Sequence, residues 1–121
     1  MRIDNNKIGN EGMKAFSIAL SSGALASLQH LNLGFNQIGD EGMKAFSSAL
    51  SSGALASLKA LALNGNQIGD AGMIAFSDAL KPKSNFPMGS MRKLTVLELT
   101  GNEVSNTGKE AIKAAGSRRS I

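Results

Sequence analysis

Residues 8 to 28, IGNEGMKAFSIALSSGALASL, recur almost letter for letter at 38 to 58 as IGDEGMKAFSSALSSGALASL, and more loosely from residue 68 as IGDAGMIAFSDAL. Between Glu11–Leu28 and Glu41–Leu58 only Ile18 and Ser48 differ. The isoleucines Ile8, Ile38 and Ile68 stand 30 residues apart, and Val104 continues the series after 36. A fixed period of this size makes each copy one supersecondary unit that cannot bury its own apolar face and must stack on a neighbour of the same kind. Near-identical text suits such stacking, since the same side chains fit again. It is poor material for a catalytic site, which needs different residues converging from different places.

Every unit carries the frame Leu-x-Leu-x-x-Asn-x-Ile/Val: Leu31, Leu33, Asn36 and Ile38; Leu61, Leu63, Asn66 and Ile68; Leu97, Leu99, Asn102 and Val104; and, opening the chain, Met1, Ile3, Asn6 and Ile8. Leu-x-Leu alternation predicts a short strand buried on one face. The asparagine then sits at a buried bend whose backbone groups have no ladder partner, and an amide side chain offers both a donor and an acceptor there. Asn6, Asn36, Asn66 and Asn102 are therefore expected to form a structural ladder. A helix follows, with Asp40 as candidate N-cap, Glu41 in the first turn, and Met43, Phe46, Ala49 and Leu50 at helical spacing. Met13, Phe16, Ala19 and Leu20 repeat that stripe, as do Met73, Phe76, Ala79 and Leu80, and such a stripe reads as core rather than as a cofactor pocket. Gly23 and Gly53 fall where a left-handed helix C-cap is expected.

On these residues the chain resembles the ribonuclease-inhibitor type of leucine-rich repeat, L-x-x-L-x-L-x-x-N-x-I-G-D-x-G-x-x-x-L-x-x-x-L. Leu28, Leu31, Leu33, Asn36, Ile38, Gly39, Asp40, Gly42, Phe46 and Leu50 match it position for position, with Phe46 for the usual aliphatic. The resemblance implies an α/β solenoid in a right-handed superhelix, with short parallel strands on the concave face and helices on the convex face. It also implies protein binding as the function, with no cofactor. The expected organisation is one domain of about four units, 1–30, 31–60, 61–96 and 97–121. The repeats are also similar to those of GTPase-activating proteins for Ran, although four units make a short arc for that activity, and the chain could equally be a fragment of a larger repeat receptor.

Composition excludes several other functions. With no cysteine and a single histidine, His30, there is no Cys–His pair and no His cluster for a metal. DNNKIGNEG imitates a calcium loop, but Ile8 stands where a third oxygen ligand is required. No glycine-rich loop ends in Lys-Ser or Lys-Thr and no Gly-x-Ser-x-Gly elbow occurs. The expectation is a non-enzymatic chain. No apolar run reaches a membrane span, and the N-terminus lacks the apolar stretch of a secretory signal, which points to the cytoplasm. The net charge of +4 lies in the last third, since residues 1–80 carry a net −1 and residues 81–121 a net +5. With no Tyr or Trp to stack bases, that tail argues against nucleic acid as the partner.

Specific recognition is expected where residues break the repeat. On the concave face the outward positions that could anchor a partner protein are Arg2, His30, Asn32, Phe35, Asn64 and Glu98; the competing reading of each is a solvated strand residue. The six-residue excess of the third unit, KPKSNFPMGSMRK, makes a basic loop with Lys81, Lys83, Phe86, Arg92 and Lys93, suited to an acidic partner surface or else a longer turn. Finally, the chain opens directly on a strand position. Met1, Arg2, Ile3 and Asp4 form an uncapped edge, expected to pair with a second copy in a symmetric homodimer. At the other end Lys109 and Gly116 replace the Met and Leu of the core stripe, as in a helix that caps the stack and faces water.

Overall fold

The computed structural model describes residues 1–81 and 93–117, with side chains described to residue 114. Helices and strands alternate: α1 (Gly9–Ser21), β1 (His30–Asn32), α2 (Asp40–Ser51), β2 (Ala60–Ala62), α3 (Asp70–Leu80), β3 (Val96–Glu98) and α4 (Asn106–Ser117). The strands form a parallel sheet in the order β1-β2-β3, with Leu31, Leu61 and Leu97 in register. Each helix packs on the next, α1 on α2, α2 on α3 and α3 on α4. The first frame, Met1 to Ile3, makes a single parallel bridge, Arg2 to Asn32, and so falls short of the strand its sequence predicts.

The leucine alternation works as expected in the middle of the stack. Leu31, Leu33, Leu61 and Leu63 are buried against Met43, Phe46, Leu50, Met73 and Phe76. Ile38 and Ile68, closing each frame, are fully buried as well. In the first unit the same stripe is only half covered: Phe16 and Ile8 are partly buried where Phe46 and Ile38 are fully buried, and Ala19 is exposed where Ala49 is buried. Gly23 and Gly53, just beyond the ends of α1 and α2, have φ of +99° and +100°, the left-handed conformation that stops a helix.

Two kinds of side-chain hydrogen bond join one unit to the next. Asn36 Oδ1 accepts from the backbone N–H of Asn6 at 2.8 Å, and its Nδ2 donates to the carbonyls of Ile3 and Leu33 at 2.9 and 3.0 Å. Asn66 does the same one unit later, accepting from the N–H groups of Asn36 and Ile38 and donating to the carbonyls of Leu33 and Leu63. Asn102 continues the series from Ile68 N–H to the carbonyls of Leu63 and Leu99. Asn6 is exposed and reaches only the carbonyls of Ile3 and Asp4 in its own turn.

The second kind corrects the reading of Asp40. It does not cap its own helix, whose N-cap is Gly39 with no side-chain bond; Asp40 is the first helical residue. Its Oδ1 instead accepts from the backbone N–H groups of Gly69 and Gly72, both at 2.8 Å, capping the helix of the following unit. Asn10 caps α2 in the same way through Gly39 and Gly42, and Asp70 accepts from Ser105 N–H at 2.8 Å at the start of α4, with the Ser105 hydroxyl on its other oxygen. Orphan N–H groups at the starts of α2, α3 and α4 are thus satisfied from next door. The close approach also explains Gly42, Gly72 and Gly108: a Cβ on Gly72 would lie 2.7 Å from Asp40 Oδ1 and 3.1 Å from Met43 Cβ.

Candidate functional site

Because alternate strand residues point away from the helices, β1, β2 and β3 present a second, open face. The register sets its rows. His30, Ala60 and Val96 lie side by side, as do Asn32, Ala62 and Glu98, with Arg2 bridging to Asn32 at the edge. The two alanines of β2 form a low floor between taller neighbours. A shallow depression of about 230 Å³ results, with His30, Asn32 and Arg2 on one side and Val96 and Glu98 on the other. It is too small for a drug-sized ligand and suits one or two side chains of a partner.

Its two charged walls differ. The Arg2 guanidinium grips Asp4 through two hydrogen bonds of 3.1 and 3.3 Å, and this pairing holds the Asp4 carboxyl below its ordinary range. Asn5 Nδ2 adds a third bond to that carboxylate. Arg2 keeps its outer surface open to solvent, with its side chain 78% exposed. Glu98, about three strand spacings away, makes no ion pair among the described residues. The open face therefore runs from the paired Arg2 at one edge, past His30, to the unpaired carboxylate of Glu98 at the other.

Phe35 is its most unusual member. The residue three places past the Arg2 bridge and past each strand end adopts a left-handed backbone: Asn5, Phe35, Gly65 and Gly101 have φ of +62°, +55°, +71° and +76°. Asparagine and glycine occupy that conformation readily, whereas a bulky aromatic is an outlier there. Phe35 is held by its backbone N–H, which donates to the Asn64 carbonyl at 3.0 Å, and its ring lies against Gly65, where an added Cβ would come within 2.3 Å of Cε1. The side chain remains 55% exposed. A large apolar ring is thus fixed in orientation and left open to solvent at the edge of the open face. Asn64 is half-buried beside it.

The structure thus brings Arg2, His30, Asn32 and Glu98 to one depression and sets Phe35 and Asn64 just beyond it. Of the basic loop, Lys83, Phe86 and Arg92 lie outside the described residues; Lys81 is paired with Asp78 at 3.0 Å, and Lys93 is exposed. At the N-terminal edge the Met1 ammonium donates to the His30 carbonyl at 2.6 Å, Asn32 N–H to the Met1 carbonyl at 2.9 Å, and Ile3 N–H to the Asn32 carbonyl at 3.0 Å, so Met1 to Asp4 are tied to β1 on one side. The first unit is uncovered beside that edge, on the helix side that the sequence reading counts with it as a pairing surface. Ala19 and Leu25 are exposed there although their copies Ala49 and Leu55 are buried, a difference that identical letters cannot signal. Among the described residues no group of three or more His, Asp or Glu could hold a metal ion, and no helix is long and apolar enough to cross a membrane.

A family model described as Leucine Rich repeat matches the chain four times, at residues 2–17, 24–47, 54–77 and 90–113, one match for each frame and its helix. Comparison with curated proteins finds no match.

Proposed function

The chain belongs to the leucine-rich repeat proteins, a family whose general trade is binding other proteins, and from that premise we propose that it is a non-enzymatic interaction module of the ribonuclease-inhibitor type. Its partner docks on the open, concave face of the sheet. Phe35 carries this reading: an aromatic held left-handed where the other units use Asn or Gly, seated on Gly65 and still more than half exposed, has the character of a preorganised anchor. Arg2 and Glu98 supply charge on either side and, with the His30 ring, orient the partner. Phe35→Ala keeps the Cβ that strains the left-handed backbone and removes only the exposed ring, so it should leave the fold intact while weakening partner binding at least tenfold. An interaction that tolerates Phe35→Ala would remove the open face from the proposal.

Self-association is the second part of the reading, favoured by the half-covered first unit. Ile3, Ile8, Phe16 and Leu28 are partly buried and Leu25 is 38% exposed, while every counterpart in the second unit is buried. Two copies meeting edge to edge, α1 against α1, would cover these side chains. Light scattering over a concentration series tests it. A dimer should form that Ala19→Glu abolishes, since Ala19 is exposed in the single chain and a glutamate there is tolerated by the fold. One-chain mass at every concentration would overturn it.

A further inference from the structure

A second cavity lies at the opposite end of the described structure from the uncovered first unit. It is a cleft of about 480 Å³ between the turn after β3 and helix α4, with Met73, Leu99, Val104 and Ile112 among its walls and Lys109 and Lys113 beside them. Its volume falls in the range of small-molecule sites, about 300–1,000 Å³, and its lining follows their pattern of apolar surface with a few polar groups.

The repeat explains why the cleft exists. Lys109 occupies the position of Met13, Met43 and Met73, and Lys113 that of Ser17, Ser47 and Ser77, all six of which are buried. Where the other helices bring core side chains to this place, α4 brings two exposed ammonium groups, and Leu99, Val104 and Ile112 stay half-covered. The two lysines are i and i+4 on one helix, neighbours of like charge, and neither forms an ion pair among the described residues. An anion at this spot relieves their repulsion. An apolar chain attached to that anion covers Leu99, Val104 and Ile112 beside it.

We propose that this cleft binds a single-chain anionic amphiphile, of which a fatty carboxylate is the simplest, with the chain against Met73, Leu99, Val104 and Ile112 and the head group at Lys109 and Lys113. A flexible Lys stem suits a rounded, hydrated head group, since its three donors rotate to follow it. This ligand is separate from the protein partner of the open sheet face, and neither binding event depends on the other.

The test is a titration of the full chain with dodecanoate below its micelle concentration, followed by methyl NMR, with dodecyltrimethylammonium as the chain-matched cation. Dodecanoate should give saturable shifts at Leu99, Val104 and Ile112, and the cation should not. Lys109→Gln with Lys113→Gln keeps chain length, removes both charges and should weaken binding at least tenfold; Lys109→Met, restoring the residue of the other units, should fill the cleft and abolish it. Circular dichroism checks that both variants fold. Equal binding of the cation, undiminished binding to the double variant, or shifts confined to Ile3, Ile8 and Ile18 would each overturn the proposal, as would no shift at all, which would leave the two lysines with the sole task of keeping the end of the stack in water.

Discussion

Replacing Asn66 by alanine isolates the ladder that joins the units. Asn66 is buried, and its Oδ1 accepts from the N–H groups of Asn36 at 2.9 Å and Ile38 at 3.1 Å while its Nδ2 donates to the carbonyls of Leu63 at 2.9 Å and Leu33 at 3.1 Å. Alanine leaves two buried N–H donors without an acceptor. At about 1–3 kcal/mol for each unsatisfied group, the two together cost about 2–6 kcal/mol, before anything is added for the carbonyls. That is a large part of the roughly 5–15 kcal/mol by which a domain is stable. Asn6 provides the internal control, because its side chain is exposed and bonds only within its own turn, so Asn6→Ala should cost less than about 1 kcal/mol. The chain has no Trp or Tyr, so the measurement is urea unfolding followed by circular dichroism. If Asn66→Ala costs no more than Asn6→Ala, the inter-unit hydrogen bonds are not what binds the units. Asn66→Asp adds a second signature. It keeps the acceptor but turns a carboxylate oxygen toward two carbonyls, so its folded-state pKa is raised and its stability should improve as pH falls through that value, the reverse of ordinary acid denaturation.

Four further substitutions follow from contacts of the same kind. The Asp70 carboxyl is held below its ordinary range by the hydrogen bonds from Ser105, so its contribution is present above the unfolded pKa of about 3.9 and is lost as pH falls through the lower folded value. Asp70→Asn keeps the acceptor, as Asn10 does in the first unit, and should flatten the loss of stability below pH 4; a variant as acid-sensitive as the wild type would refute this. Gly72→Ala drives a methyl into Asp40 Oδ1 and Met43 Cβ, and overpacking of this kind costs about 1–3 kcal/mol, whereas Gly12→Ala meets only the side chain of Ile8 and gains helix propensity, so urea midpoints should separate the pair. Gly65→Ala combines a φ of +71° with a clash against the Phe35 ring and should destabilise by about 1–2 kcal/mol from the backbone alone, while displacing Phe35 and weakening partner binding.

How far these features were legible depended on whether they are local. The strand, asparagine and helix frame is local, and the sequence alone placed β1, β2 and β3 and the outward positions His30, Asn32 and Glu98, because the period of two admits one register. The destination of Asp40 was not legible. An aspartate just after Gly39 reads equally as a cap for its own helix or for the one 30 residues on, and only the stacking distance between units decides. The seat of Phe35 was half legible: Gly65 and Gly101 at the equivalent positions are the signal that this position is left-handed, but which face the ring covers depends on the neighbouring unit. The cleft at Lys109 was read as a helix turned to water, which describes the lysines and overlooks the apolar walls they leave beside them.

The strongest demonstration that neighbours decide burial is within the chain itself. Residues 11–28 and 41–58 are the same text but for one letter, yet Leu25 is 38% exposed where Leu55 is 1%, and Phe16 is half-buried where Phe46 is fully buried. Intrinsic propensity is therefore constant between the two units, and the difference in their stability is a difference in interface. Fully burying a large apolar side chain contributes about 1.5–3 kcal/mol, and Ile3, Ile8, Phe16 and Leu28 are each only partly buried, with up to about a third of their surface open, so their incomplete cover withholds at most roughly 2–4 kcal/mol from the first unit. Units of a stacked array open from the end whose interface is missing. Native-state hydrogen exchange should therefore show amides of α1 exchanging through an opening about 2 kcal/mol or more cheaper than those of α2, despite near-identical side chains. The concentration dependence separates the two halves of the proposed function. If two copies cover each other's first unit, protection in α1 rises with protein concentration and converges on that of α2; if they do not, the gap persists at every concentration. Equal protection of α1 and α2 in dilute solution would mean that the shared sequence, and not the neighbouring unit, sets the stability of each repeat.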